Sequence, residues 1–327
     1  MPDLSHDRVR RALILSAGAL AGRHAVGAEP DFPSKAMHFV VPYTAGGNTD
    51  MIARTLGQKV GESTKQPVVV ENRAGAATLI GTEFVAKSPA DGYTWLLATS
   101  TTLAINPYLY KKLPYDPVKD FAPVIQVARI PMVLVVSPTS PIRSMQELVA
   151  QAKARPGELT YATAGAGSPS DLAMLLFMSA TGTRLTAVPY KGGAPGIVDV
   201  MAGHVGMTFD NASLNQVKLG KLRAVFHTGE RRLAVAPDIP SIVELGYRQC
   251  VFYPWQGVVV PAATPPAVVA RLNEELGRAL LLPDVRQRIT ADGAEIAGGT
   301  PRKFGEHIRA EIERLGKLMQ DAGVKPE

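Results

Sequence analysis

The chain has 327 residues, 46% hydrophobic and 20% charged, the balance of an ordinary globular protein long enough for two domains. Its formal charge of +6 is scattered, with no basic stretch interleaved with aromatic stacking residues, which argues against nucleic-acid binding. A lone cysteine, Cys250, excludes an intramolecular disulfide, and no histidines stand at paired metal-ligand spacing.

At the N-terminus Arg8, Arg10 and Arg11 precede the apolar run ALILSAGALAG, and AVGA then sets Val26 and Ala28 at the small-residue positions of a cleavage site. That order predicts a secretory signal over 1–28, cleaved near Ala28, and a periplasmic protein. The run is too short to span a bilayer. Arg10–Arg11 leaves the twin-arginine and general secretory routes both open. Cleavage removes four Arg and two Asp, a net +2, and leaves +4.

From residue 35 strands and helices alternate. MHFVVPY reads as a strand, TAGGN as a glycine turn, and Ile52, Leu56 and Val60 as one face of a helix. PVVVENR, AGAAT and LIGTEFVAKS repeat the pattern, and YTWLLAT follows as a third strand; the alternation predicts a parallel sheet. After the irregular INPYLYKKLPYDPVKDFAP, the run VIQVARIPMVLVVSP reads as two strands broken at Pro131, a crossing between domains. A second α/β unit follows: the helix SMQELVAQAKA, the strand LTYATA, the loop GAGS, the helix PSDLAMLLFMSATG, the strand LTAVPY, then KGGAP, GIVDVMAG, HVGMTFDN and LRAVFHT. FYPWQGVVVP reads as a returning strand, and the tail as helical, with Phe304, Ile308, Ile312, Leu315 and Met319 forming a core-facing stripe.

The expected architecture is two α/β lobes joined by two crossing strands, 29–132 plus 252–327 as the first lobe and 133–251 as the second. Ligands of open α/β sheets bind at the carboxyl ends of the strands. PYTAGGN, RAGAAT, ATSTT, TAGAGSPS and PYKGGAP should therefore surround one cleft. Their chemistry is anion capture by unpaired N–H groups at helix starts. In the second lobe Ser168 is a natural N-cap, Pro169 fits the first helical position and Asp171 completes a capping-box-like spacing, with Gly165 and Gly167 exposing backbone. Gly46 and Gly47, followed by Asn48 or Thr49 as cap, are the first-lobe counterpart. Either loop also reads as a plain capped turn. Tyr43 and Tyr190 follow the same Val-Pro dipeptide at matching strand ends. The phosphate, nucleophile-elbow and zinc-protease motifs are missing. Asp50, Asp171 and Asp210 remain as carboxylates that an enzyme would have to use.

Taken together, VVPYTAGGNTDMIAR, VVVENRAGA, VAKSPADGYT, INPYLYKKLPYDPVKDFAPV, VPYKGGAPGIVDVMAGHV and PAATPPAVVARLN resemble the Bug-type extracytoplasmic receptors of tripartite tricarboxylate transporters, from about residue 32 to 325. The resemblance implies a periplasmic-binding-protein fold of type II. It implies capture of a small carboxylate between the lobes, without cofactor or metal, by a monomer that delivers it to a two-component membrane permease. It maps the family's binding pattern onto Tyr43, Gly46, Gly47, Asp50, Ser100 and Thr101 in the first lobe, and Gly165, Gly167, Ser168, Tyr190 and Asp210 in the second. Where the family commonly has a histidine early in the second-lobe helix, this chain has Asp171, so a ligand with a neutral or amino end, such as an amino acid or monocarboxylate, is expected. A receptor presenting its ligand to a sensor kinase is the alternative use, and a carboxylate-using enzyme a more distant one.

Overall fold

A computed structural model describes residues 32–326, and the expected signal segment 1–28 lies outside them. Both sheets belong to the unit Lys35–Glu327. The first sheet has six strands in the order β11-β4-β10-β3-β1-β2, formed by β1 (Met37–Val41), β2 (Val68–Asn72), β3 (Thr94–Thr99), β4 (Phe121–Arg129), β10 (Trp255–Pro261) and β11 (Glu295–Gly298). The second has the order β7-β6-β8-β5-β9, from β5 (Val133–Val136), β6 (Thr160–Thr163), β7 (Thr186–Pro189), β8 (Met207–Asp210) and β9 (Arg223–His227).

The expected parallel rhythm holds for β2-β1-β3 and for β7-β6-β8. It fails for the crossing strands: β10 runs antiparallel to β3 and β4, and β5 antiparallel to β8 and β9. Between the sheets the chain passes from β4 to β5 through Ile130–Met132 alone, too short for a crossover back into the same sheet. The β11 strand, pairing with β4, was legible only as part of a helical tail.

Helices follow the periodicity. Ile52, Leu56 and Val60 are buried on the helix Asn48–Thr64, and Phe304, Ile308, Leu315 and Met319 on Pro301–Asp321. One apolar cluster joins Leu96 and Ala98 of the first sheet, Leu134 and Phe209 of the second, and Phe304 and Met319 of the last helix. Strand β5 alternates, sending Leu134 and Val136 into that cluster and Val133 and Val135 into a smaller one behind the second sheet.

Thr228 ties the two crossings together. Its N–H donates to Met132 O (2.9 Å) and its carbonyl accepts from Phe252 N (3.1 Å). Its hydroxyl accepts from Met132 N (2.9 Å) and donates to Phe252 O (2.5 Å). Ile130 N adds a bond to Pro254 O at 2.8 Å.

Candidate functional site

A cavity of about 290 Å³ lies at the carboxyl ends of β1, β3, β6 and β8. From the first sheet come Tyr43, Asn48, Thr49, Thr99, Ser100 and Thr101, with Trp255 and Gln256 of β10. The second contributes Thr163, Ser170, Gly192, Gly193, Thr208 and Asp210. Ile130, Met132, Phe209, Pro254 and Pro169 supply apolar wall. No Lys or Arg lines it among the described residues, and Asp210 is its only carboxylate.

Four of the five expected loops reach this cavity. The fifth, RAGAAT, packs elsewhere: Asn106 Nδ2 donates to Ala77 O (2.9 Å) and Thr78 Oγ1 (3.2 Å). Of the residues singled out in the sequence, Tyr43, Ser100, Thr101 and Asp210 line the wall, whereas Gly46, Gly47, Asp50, Gly165, Gly167, Ser168, Asp171 and Tyr190 do not.

The two glycine loops are built alike, and each fills part of its own anion grip. Gly46 N donates to Asp50 Oδ2 at 2.9 Å, and Gly167 N to Asp171 Oδ2 at 2.9 Å. Both carboxylates are buried in the first turn of the following helix. Their surroundings then part. Asp50 meets Arg54 (Nε at 3.0 Å) and Asn72 Nδ2 (2.9 Å), and the Arg54 hydrogen bond, against burial, holds its pKa at about 2. Asp171 has no cation paired with it among the described residues. It accepts from Tyr161 OH at 2.8 Å, and burial pushes its pKa up against those hydrogen bonds. The sequence put Asp171 at the ligand's second end. Both its oxygens are engaged in those hydrogen bonds, and Asp171 is not among the residues that line the cavity.

Ser168 caps Pro169–Thr181, accepting from Asp171 N at 3.4 Å as expected. In the first loop Gly47, not Asn48 or Thr49, stands at the cap and, having no side chain, gives no capping bond; Asn48 Oδ1 accepts from Gln256 Nε2 at 3.0 Å. Gly167, at φ +71°, lets the second loop approach Leu109 of the short helix Asn106–Leu109: a Cβ there would stand 2.6 Å from Leu109 Cδ2. The matching tyrosines also diverge. Tyr43 OH shares a hydrogen with Thr99 Oγ1 (2.9 Å) at the wall, and burial raises its pKa. Tyr190 OH donates to Asp199 at 2.6 Å, and its ring packs on Gly196.

Asp210 Oδ1 accepts from Ser213 N (2.7 Å) and Oγ (2.8 Å), which fixes the carboxyl at the end of β8, and burial pushes its pKa up. Ser100 and Thr101 stand where β3 runs into a single π-type turn, Thr101–Ile105, a feature that often marks functional sites. Sequence reasoning passed over Gln256. The signal was there: one amide inside the apolar run of a crossing strand, now 6% exposed in the cavity wall.

Residues 52–324 match the family model described as tripartite tricarboxylate transporter family receptor. Protein BugT of Bordetella pertussis is 38% identical over 310 residues, 94% of this chain and 95% of its own length. Among solved structures, Rpa4515 of R. palustris with adipate is similar at a TM-score of 0.80 and 37% identity, covering 91% of this chain and all of that one. MatC of Rhodopseudomonas palustris with bound malate is similar at 0.76 and 30%, covering 88% and 99%.

Proposed function

The chain belongs to the tripartite tricarboxylate transporter receptor family, periplasmic solute-binding proteins, and on that premise we propose that it captures a small carboxylate for a two-component membrane permease. The observation that carries the ligand class is the cavity itself. Hydroxyls and helix starts converge from two sheets on an apolar floor, with no cationic side chain among those lining it. Such a site holds a carboxylate by neutral donors and its hydrocarbon by Ile130, Met132 and Phe209. Relatives whose structures contain adipate and malate point the same way.

The two sheets with their helices act as lobes, 29–132 plus 252–327 and 133–251, closing about the Thr228-tied crossings, the closed form being favoured by a ligand that touches both. Tyr43, Ser100, Thr101 and Asp210 contact the ligand. Gly46, Gly47, Asp50, Gly165, Gly167, Ser168 and Asp171 hold the loops in shape. The test is mass spectrometry of the small molecule released from protein purified in its exported form, with calorimetric titration of the compound found. A released compound without a carboxylate would overturn the ligand class. Unimpaired uptake of the identified compound in cells lacking this receptor would overturn the permease role.

A further inference from the structure

On the second-sheet side of the cavity the hydroxyls form a chain, and each has one hydrogen to give. Thr208 Oγ1 spends its own on Ala162 O at 2.9 Å, and Thr163 Oγ1 on Gly165 O at 3.0 Å. Thr163 Oγ1 also lies 2.9 Å from Ser168 Oγ, and with its hydrogen spent it accepts there. Ser168 therefore gives its hydrogen to Thr163, and as the helix cap it accepts from Asp171 N at 3.4 Å.

The chain ends at Ser170. Its Oγ accepts from Ala164 N at 3.3 Å, and its own hydrogen has only Ser168 Oγ at 3.1 Å and Thr163 Oγ1 at 3.5 Å to turn to. Both are long for bonds between hydroxyls, which settle near about 2.7–2.8 Å, and each of those oxygens already accepts a hydrogen bond. Ser170 lines the cavity and is partly exposed, so a ligand reaches it. Turning its hydrogen onto a carboxylate gives up a weak bond for a charge-assisted one. The other groups on this side do not make that choice. Thr163 and Thr208 have spent their hydrogens, and Asp210 on the neighbouring strand is an acceptor engaged by Ser213. Asn211 also lines the cavity, but an amide both donates and accepts.

We infer that Ser170 is a specificity-determining residue whose hydroxyl donates to a carboxylate at the second-sheet end of the ligand, while Ser100 and Thr101 face the other end. The inference rests on the small-carboxylate reading and adds a second carboxylate to it. A monocarboxylate of the same chain length brings a methyl to one end and leaves that end's hydroxyls without a charged acceptor.

The experiment is calorimetric titration of the exported protein with succinate against butyrate and adipate against hexanoate, repeated on Ser170→Ala and Ser170→Thr. Wild type should bind the diacid of at least one pair about 10-fold or more tighter than its monoacid. Ser170→Ala should cut that preference about 10-fold by weakening the diacid, with the monoacid held within about twofold. Ser170→Thr keeps the hydroxyl and should keep the preference; losing it there as in alanine overturns the inference. A purely structural role, through the Ala164 N bond, would weaken both members of a pair together, and that result overturns the inference too. Equal binding of diacid and monoacid by wild type in both pairs also overturns it, leaves the small-carboxylate reading standing, and holds even if neither variant folds. Failure of all four compounds to bind wild type would overturn that reading itself, and the inference with it.

Discussion

Replacing Thr228 by Val tests whether the two crossings are held by the hydroxyl or merely pass near it. Val keeps the shape and removes one hydrogen bond from Met132 N and one to Phe252 O. Thr228, Met132 and Phe252 are all buried, at 1%, 5% and 0% exposure, so water cannot replace what is lost. An unpaired buried backbone group costs about 1–3 kcal/mol, and two of them together roughly 2–4 kcal/mol after local relaxation. For a chain of this size about 2 °C of melting temperature accompanies each kcal/mol, so a fall of roughly 4–8 °C is expected. Thr228→Ser keeps the hydroxyl and loses only a buried methyl, about 1 kcal/mol. Scanning calorimetry of the three proteins measures this directly. A valine variant melting within about 1 °C of wild type, or a serine variant falling as far as valine, would refute the reasoning.

Asp171→Asn should lower stability by about 1–2 kcal/mol, since one amide cannot accept from both Gly167 N and Tyr161 OH, and should leave ligand affinity within about threefold; thermal melts and titration calorimetry read the two effects, and a large affinity loss at unchanged stability would return the carboxylate to the ligand. His227 is fully buried and its pKa is depressed to about 4, chiefly by burial, from an ordinary 6.5. Between those values the unfolded chain binds the proton and the folded one does not, so stability is lost as pH falls from about 6.5 to about 4, by up to about 3 kcal/mol. Urea unfolding at pH 7 and pH 4.5 should show the loss, and His227→Gln should flatten it; an equal slope in both proteins would count against His227 as its source.

What the sequence made legible follows from the range of the forces involved. Helix faces, caps and strand runs are local, so Ile52, Leu56 and Val60 and the Ser168 cap could be read from spacing. Strand direction in a mixed sheet depends on where a strand arrives from, and nothing local to Trp255–Pro261 encodes that it lies antiparallel between β3 and β4. The glycine loops were placed at the right strand ends. Which of their groups are spent inside the loop was not visible, because it turns on side chains from elsewhere: Arg54 and Asn72 for Asp50, Tyr161 for Asp171. Equivalent positions in two similar loops thus acquire opposite pKa shifts.

That division bears on how such a cavity holds an anion at all. An Arg or Lys in the wall would have to be stripped of water, and its attraction to the ligand must first offset that loss. Neutral donors avoid the cost, and each hydrogen bond to a charged carboxylate contributes about 1.5–3 kcal/mol. A micromolar site needs roughly 8 kcal/mol net, so about half a dozen such contacts suffice after ordering costs. Asp50 and Asp171 occupy Gly46 N and Gly167 N from within their own loops, so under the proposed function recognition falls to the groups that line the cavity.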